Sequence, residues 1–424
     1  MARIIPVSSG KGGVGKTTFA IHYALMLARY GRTVLIDMDM GTSSVRNSID
    51  APVTYDLYHF FRKNVRLEDC ITPLTARLDP QQRYKNFGFI ASPRGLIEDL
   101  MNFDEYQKAR LIRSINTLPA DYIIIDLKAG IDSKVLDFLP HANTGVIVFT
   151  PLVPSAIFAA SEMVKALILR KLRALFSFDS FLLRSGINHQ QVANYLQHIE
   201  LMEDVYEAQE KNLEEFLALL QNEIDNEIVL AMIGNVVRDF KIFYVLNRFN
   251  SVTDSVEKIV RPFTESIQRN ISPYLKMINL GWIVEDERFL KSATQKIPLL
   301  LQPAEQKAPP KKMEADLLNQ WIAELKKEFA PLPRPSRTVP HPAVAVAVHP
   351  RRPPALPRDA LEQQLVLLKA MFENQDRKDF RLNLDYVTQR TLHLMRHGRF
   401  DDFGDVKLFA TSQDRAEAIS ARWH

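Results

Sequence analysis

A doubly wound, mostly parallel α/β sheet is the fold class predicted by three features of this 424-residue sequence. The first is a glycine-rich stretch, Gly10-Lys11-Gly12-Gly13-Val14-Gly15-Lys16-Thr17-Thr18. It lies between the apolar run Ile4-Ile5-Pro6-Val7 and a helix-like pattern at Ala20, Leu25, Leu27 and Ala28. The second is a series of short apolar runs, each bounded by a turn or a carboxylate, which is how buried strands read. The third is helical spacing between those runs, so that strands and helices alternate. The length allows one large domain of this kind plus additional segments.

The glycine-rich stretch has the pattern G-x-x-x-x-G-K-T from Gly10 to Thr17, in a strand-loop-helix setting. Glycines let such a loop curl with successive N–H groups inward, so Gly10, Gly12, Gly13, Val14, Gly15 and Thr18 are expected around a β-phosphate at a helix N-terminus. Lys16 is expected to bridge the β- and γ-phosphates, and Thr17 to offer its hydroxyl to Mg²⁺. The additional lysine makes the segment resemble the deviant Walker A motif of the MinD/ParA ATPases. That resemblance implies ATP as ligand and a nucleotide-sandwich homodimer in the ATP state. It also implies that Lys11 acts in trans on the partner's phosphates.

Thr33-Val34-Leu35-Ile36-Asp37 reads as the second strand, with Asp37 and Asp39 at the edge where doubly wound sheets place ligands. By resemblance, Asp39 positions or activates the attacking water and Asp37 supports the Mg²⁺ shell. Phe87–Ala91 is the next strand, and the span Leu96–Leu118 carries helical spacing. Asp121-Tyr122-Ile123-Ile124-Ile125-Asp126 is the plainest strand and fits the Walker B pattern, with Asp126 as a Mg²⁺ ligand. The residues after it resemble the family's switch II, where a backbone N–H near Gly130 meets the γ-phosphate. Lys128 departs from that pattern by placing a bulky cation in a loop that must move.

Gly145–Pro151 is a further buried strand, followed by a helix over Ser155–Ala174. Thr150-Pro151 with Pro154-Ser155, and Val135–Leu139, resemble the FlhG (FleN) flagellar-number branch within the family. About Phe176 to Asn235 reads as a helical insertion. Apolar residues recur at Val192, Tyr195, Leu196, Ile199 and Met202, and again at Leu213, Phe216, Leu217 and Leu220, with acidic residues between them. This is a helical hairpin packed on its own domain with an acidic face, or a lid or docking surface for a basic partner. Phe243–Phe249 resembles the family's late strand, in which Asn247 reads the adenine edge. Leu280–Asp286 resembles its last strand.

The ATPase domain is expected over residues 1–329, then a Pro/Arg-rich linker at 330–358 and a helical module at 359–424. Leu361, Leu365, Leu368 and Phe372 mark one helix of that module and Leu382–Met395 a second. A protein partner is expected through the insertion or the tail. A C-terminal amphipathic helix would allow peripheral membrane contact, although Glu362 and Glu373 oppose anionic lipid.

A hydrophobic fraction of 46%, 25% charged residues and one cysteine, Cys70, describe a globular chain without an internal disulfide framework or a cysteine-built metal cluster. The net charge of +4 argues neither for nor against nucleic acid. Met1-Ala2-Arg3 followed by a strand lacks the features of a secretory leader, and no run approaches a membrane span. The expected location is cytoplasmic, at most with peripheral contact at the inner face of the membrane. Three functions fit: an ATPase switch that controls the placement or number of a flagellum-like assembly; a DNA-partitioning ATPase; or a nucleotide-binding scaffold with little hydrolysis.

Overall fold

The computed structural model describes residues 2–41, 43–95, 104–130, 138–139, 143–150, 154–176, 188–203, 213–223, 230, 233–234, 237, 240–249, 260–303, 379–397 and 408–409. The proposed linker, the first tail helix, most of the insertion's acidic turn and residues 131–137 lie outside them.

Eight strands form one sheet in the order β3-β4-β2-β5-β1-β6-β7-β8. They are β1 (Arg3–Ser8), β2 (Thr33–Asp37), β3 (Thr72–Pro73), β4 (Phe87–Ile90), β5 (Tyr122–Asp126), β6 (Asn143–Phe149), β7 (Lys241–Phe249) and β8 (Lys276–Val284). Every pairing is parallel except that of the two-residue edge strand β3 with β4. The inner strands are buried along nearly their whole length, which explains their continuous apolar runs. The predicted doubly wound fold class is therefore the observed one.

Strand order determines which face each crossover covers, because parallel crossovers are right-handed. The path from β1 to β2 runs one way along the sheet and carries α1 (Lys16–Leu27). The path from β4 to β5 and all later crossovers run the other way. They put α4 (Glu105–Asn116), α5 (Pro154–Phe176) and α8 (Arg261–Asn270) on the opposite face, where α5 and α8 pack together. Among the described residues, the α1 face of β6–β8 thus receives no crossover helix.

α10 (Phe380–His397) fills that gap, packing on β8 and α1. Its Leu384, Val387, Thr388 and Thr391 are fully buried. Tyr23 of α1 donates to Thr391 Oγ1 at 2.9 Å, Arg3 Nη1 to the Met395 carbonyl at 3.1 Å, and Arg381 Nη2 to the Gln302 carbonyl at 2.8 Å. Gly281 of β8 lies at φ 140°, and a Cβ there would meet Val387 Cγ2 at 2.8 Å. Only glycine allows both that backbone and that approach. Further on, Asn116 pairs with both backbone groups of Leu408. The expected tail helix exists, but within the described residues it is a core layer of the sheet's own domain.

The insertion shows α6 (His189–Glu203) and α7 (Leu213–Glu223) as helices. α6 packs on α5, with Tyr195 and Phe176 rings 5.4 Å apart. Glu214, read as part of a solvated acidic face, accepts a hydrogen bond from Ser272 Oγ at 2.5 Å.

Candidate nucleotide site

β1, β2 and β5 end side by side, and the predicted phosphate loop leaves β1 at that edge. Gly15 closes the loop with φ 82°, a left-handed conformation that starts α1 directly behind it. α1 has no side-chain cap and no acidic residue in its first turn. Its first amides and helix dipole therefore favour an anion in front of the loop. Space is open beside Gly12 and Gly13. Val14 is buried, while Thr17 and Thr18 are half-buried.

Beneath the loop, Lys16 Nζ meets Asp126 Oδ1 at 2.5 Å, with both side chains buried. Asp126 Oδ2 is buried and has no partner. A buried carboxylate oxygen left unbonded is costly, and a cation with its water shell placed beside Thr17 would satisfy it. The residues present thus fit Mg²⁺ held jointly by Thr17, Asp126 and nucleotide oxygens. Among the described residues no group of three or more His, Cys, Asp or Glu is placed to hold a metal by itself.

Asp37 and Asp126 are register partners on β2 and β5. Burial, with the neighbouring Asp126 charge adding to it, pushes the Asp37 carboxyl up to about 7. The opposing hydrogen bonds are Val45 N at 3.0 Å, Ser92 Oγ at 2.9 Å and Asp39 N at 3.1 Å. Asp37 therefore anchors the turn that carries Asp39. Asp39 itself is half-buried, and its Oδ1 accepts from Gly41 N at 3.4 Å.

Lys11 extends to its own chain, donating to Ser155 Oγ at the start of α5 at 2.6 Å. Gly130, at φ 113°, donates its N–H to the Ser9 carbonyl at 3.0 Å, so the expected γ-phosphate donor is tied to the loop. Asn247 at the end of β7 donates from Nδ2 to the Val14 carbonyl at 2.8 Å. That bond spans the loop. Lys128 is exposed between Asp126 and Gly130.

Three groups escaped the sequence reading. Ser92 and Ser155 lie at strand and helix ends on the same edge, which is the signal that could have found them. His22 lies on α1 and had no such signal. Leu299 N donates to its Nε2 at 2.9 Å, so the ring proton is on Nδ1 and is given to the Thr18 carbonyl at 2.7 Å. Burial holds the ring down at about 4. Cys70 is buried and its thiol is pushed up to about 12, mainly by burial.

Residues 2–168 match the family model described as AAA domain. Over 160 residues, 37% of this chain and 55% of the relative, the chain is 31% identical to the septum site-determining protein MinD of Helicobacter pylori. Over 157 residues, 35% of this chain and 45% of the relative, it is 34% identical to the chloroplastic MinD homologue of Arabidopsis thaliana. The chain is similar to MinD. It spans about half the length of the curated relatives it matches. Among solved structures, MinD of Pyrococcus horikoshii in complex with Mg-ADP aligns with 72% of this chain and 90% of its own at 17% identity and a TM-score of 0.41. The ParA family ATPase of Chlorobium tepidum aligns with 71% and 92% at 18% identity and a TM-score of 0.40. Among the described residues no helix is long and apolar enough to cross a membrane.

Proposed function

We propose that this chain is a dimerising switch of the MinD/ParA type that hydrolyses ATP to ADP and phosphate and controls the placement or number of a cellular assembly, with the flagellum as the first candidate. The observation that carries this reading is the buried Lys16–Asp126 pair beneath an uncapped helix N-terminus, with one Asp126 oxygen unbonded. Lys16 would exchange its carboxylate for the β- and γ-phosphates, and Asp126, with one oxygen already free, would help to hold Mg²⁺. Thr17 supplies the hydroxyl ligand, while Asp37 supports that shell and fixes the Asp39 turn. Mg²⁺ contributes neutralisation of phosphate charge. Asp39 orients the attacking water.

Gly130 leaves Ser9 to donate to the γ-phosphate, so its peptide responds to whether that group is present. Asn247 holds the loop through Val14 and keeps its amide oxygen for the adenine edge. Lys11 leaves Ser155 and reaches the second copy, which makes turnover depend on dimerisation. Differential affinity of a partner for the two nucleotide states then yields regulation. The chain acts in the cytoplasm, with membrane contact peripheral.

The test is ATP turnover against protein concentration, alongside nucleotide binding. Turnover per chain that rises with concentration and is lost in Lys11→Ala, with binding retained, is the expected result. Tight binding without turnover in the intact chain overturns the switch in favour of a scaffold. Lys128→Gly then asks whether that cation blocks hydrolysis.

A further inference from the structure

On the far side of β2 from the phosphate loop, two cavities of about 520 and 430 Å³ share Arg46, Arg94 and Gly95 as their common wall. They open at the ends of β2 and β4, the ligand-binding edge of the sheet. The larger is cationic, lined by Arg46, Arg94 and Lys296. Its one carboxylate, Asp50, is already paired with Arg77. Arg46 is paired with Asp56 at 2.5 Å, whereas Arg94 and Lys296 have no carboxylate partner among the described residues. Burial, with the like charge of Arg94 adding to it against Asp56, lowers the Arg46 guanidinium from its ordinary value. A bound anion relieves that crowding.

The smaller cavity is more apolar, with Val53, Pro93, Tyr58 and His59 on its walls. The His59 ring stands 5.5 Å from Tyr58 and 5.3 Å from Tyr55, all edge to face. A cationic cavity lying against a partly aromatic one, with Arg46, Arg94 and Gly95 lining both, fits a ligand with phosphates at one end and a flat ring at the other.

The shared wall is bonded to the switch. Arg46 Nη2 donates to the Ser92 carbonyl at 3.2 Å, and Ser43 Oγ donates to the Pro93 carbonyl. Ser92 Oγ and Val45 N both donate to Asp37 Oδ2. Ligand drawn toward Arg46 and Arg94 therefore pulls on the two segments that hold Asp37 and, through it, Asp39.

We propose that this double cavity is a second ligand site, separate from the phosphate loop, for a small phosphorylated molecule with a flat ring, and that its occupancy is felt at Asp37. The coupling to Asp37 has regulatory meaning only if the ATPase reading holds; the binding claim does not depend on it. The test titrates GDP, and pyrophosphate as its ring-less control, into the full chain alone and in the presence of excess non-hydrolysable ATP analogue with Mg²⁺. One GDP per chain binding beside the analogue is expected. At least tenfold weakening in Arg94→Glu/Lys296→Glu, and weaker binding of pyrophosphate than of GDP, are expected as well.

If the chain takes up no analogue, the ATPase reading falls, and the GDP titration with its Arg94 and Lys296 dependence still decides the cavity. GDP binding that the analogue displaces, or that survives Arg94→Glu/Lys296→Glu, overturns the site. The milder Arg94→Gln/Lys296→Gln chain guards against misfolding and should weaken binding in the same direction. Hydrogen exchange at the Val45 amide should slow on adding GDP to the analogue-loaded chain; an unchanged rate overturns the coupling.

Discussion

Lys16 and Asp126 show how a binding motif also bears on folding. Both are buried, and each is the other's compensation. Removing one partner of such a pair leaves a charge without counterpart, at a cost of about 3–5 kcal/mol, whereas replacing both with apolar groups of similar shape is far milder. Asp126→Asn should therefore lose about 3 kcal/mol in urea unfolding without nucleotide, and Lys16→Met/Asp126→Leu should regain most of it. Equal losses in the single and double variants would mean that the pair is not closed in solution. His22 makes a second residue-level prediction through pH. Its ring titrates near 6.5 when unfolded and near 4 when folded, so the native state binds fewer protons between those values. Stability is thus fully present above about pH 6.5 and is lost as pH falls toward 4. Between pH 7 and 5 the loss is about 2 kcal/mol, and His22→Gln should flatten it. The motif residues were legible because phosphate chemistry demands particular side chains at fixed spacing. His22 was not, because Leu299, which fixes its tautomer, is 277 residues away.

The same divide separates the elements. β2, β5 and α1 announce themselves locally, through buried apolar runs and a glycine turn, and the observed spans Thr33–Asp37 and Tyr122–Asp126 follow those runs closely. α10 was legible as a helix from its spacing but not as the cover of β8, because that follows from strand order and crossover hand. Its docking makes a definite energetic claim at Gly281. Alanine there must adopt φ near 140° and drive a Cβ toward Val387. Backbone strain of this kind costs about 1–3 kcal/mol, and the clash adds to it. Shortening Val387 removes the clash but not the strain. In a double-mutant cycle, Gly281→Ala with Val387→Ala should therefore show a coupling of about 1 kcal/mol. A coupling of zero would mean that α10 does not sit on β8. The same packing bears on membrane contact: the apolar side of α10 is spent on the sheet, so lipid binding by this helix would have to compete with the fold.

At the scale of the whole molecule, the question is which surface meets a second copy. If Lys11 acts on a second copy as proposed, that surface lies at the ligand edge of the sheet, where its ammonium rests on Ser155. One helical turn further along α5, Phe158 is 60% exposed. Residues three apart on a helix share a face, so an unburied aromatic ring and the proposed trans-acting lysine lie together. A dimer that brings Lys11 to the partner's phosphates also brings Phe158 into the contact, where a desolvated aromatic anchor is the kind of group that dominates association. Phe158→Asp should raise the protein concentration needed for half-maximal turnover per chain at least tenfold, equivalent to about 1.4 kcal/mol. The thermal midpoint of the isolated chain should move little, because most of the side chain lies open to solvent. ATP binding at low protein concentration should change far less than the concentration dependence. An unaltered concentration dependence would place the dimer contact elsewhere and leave Lys11 with its Ser155 bond as a positioning role within one chain.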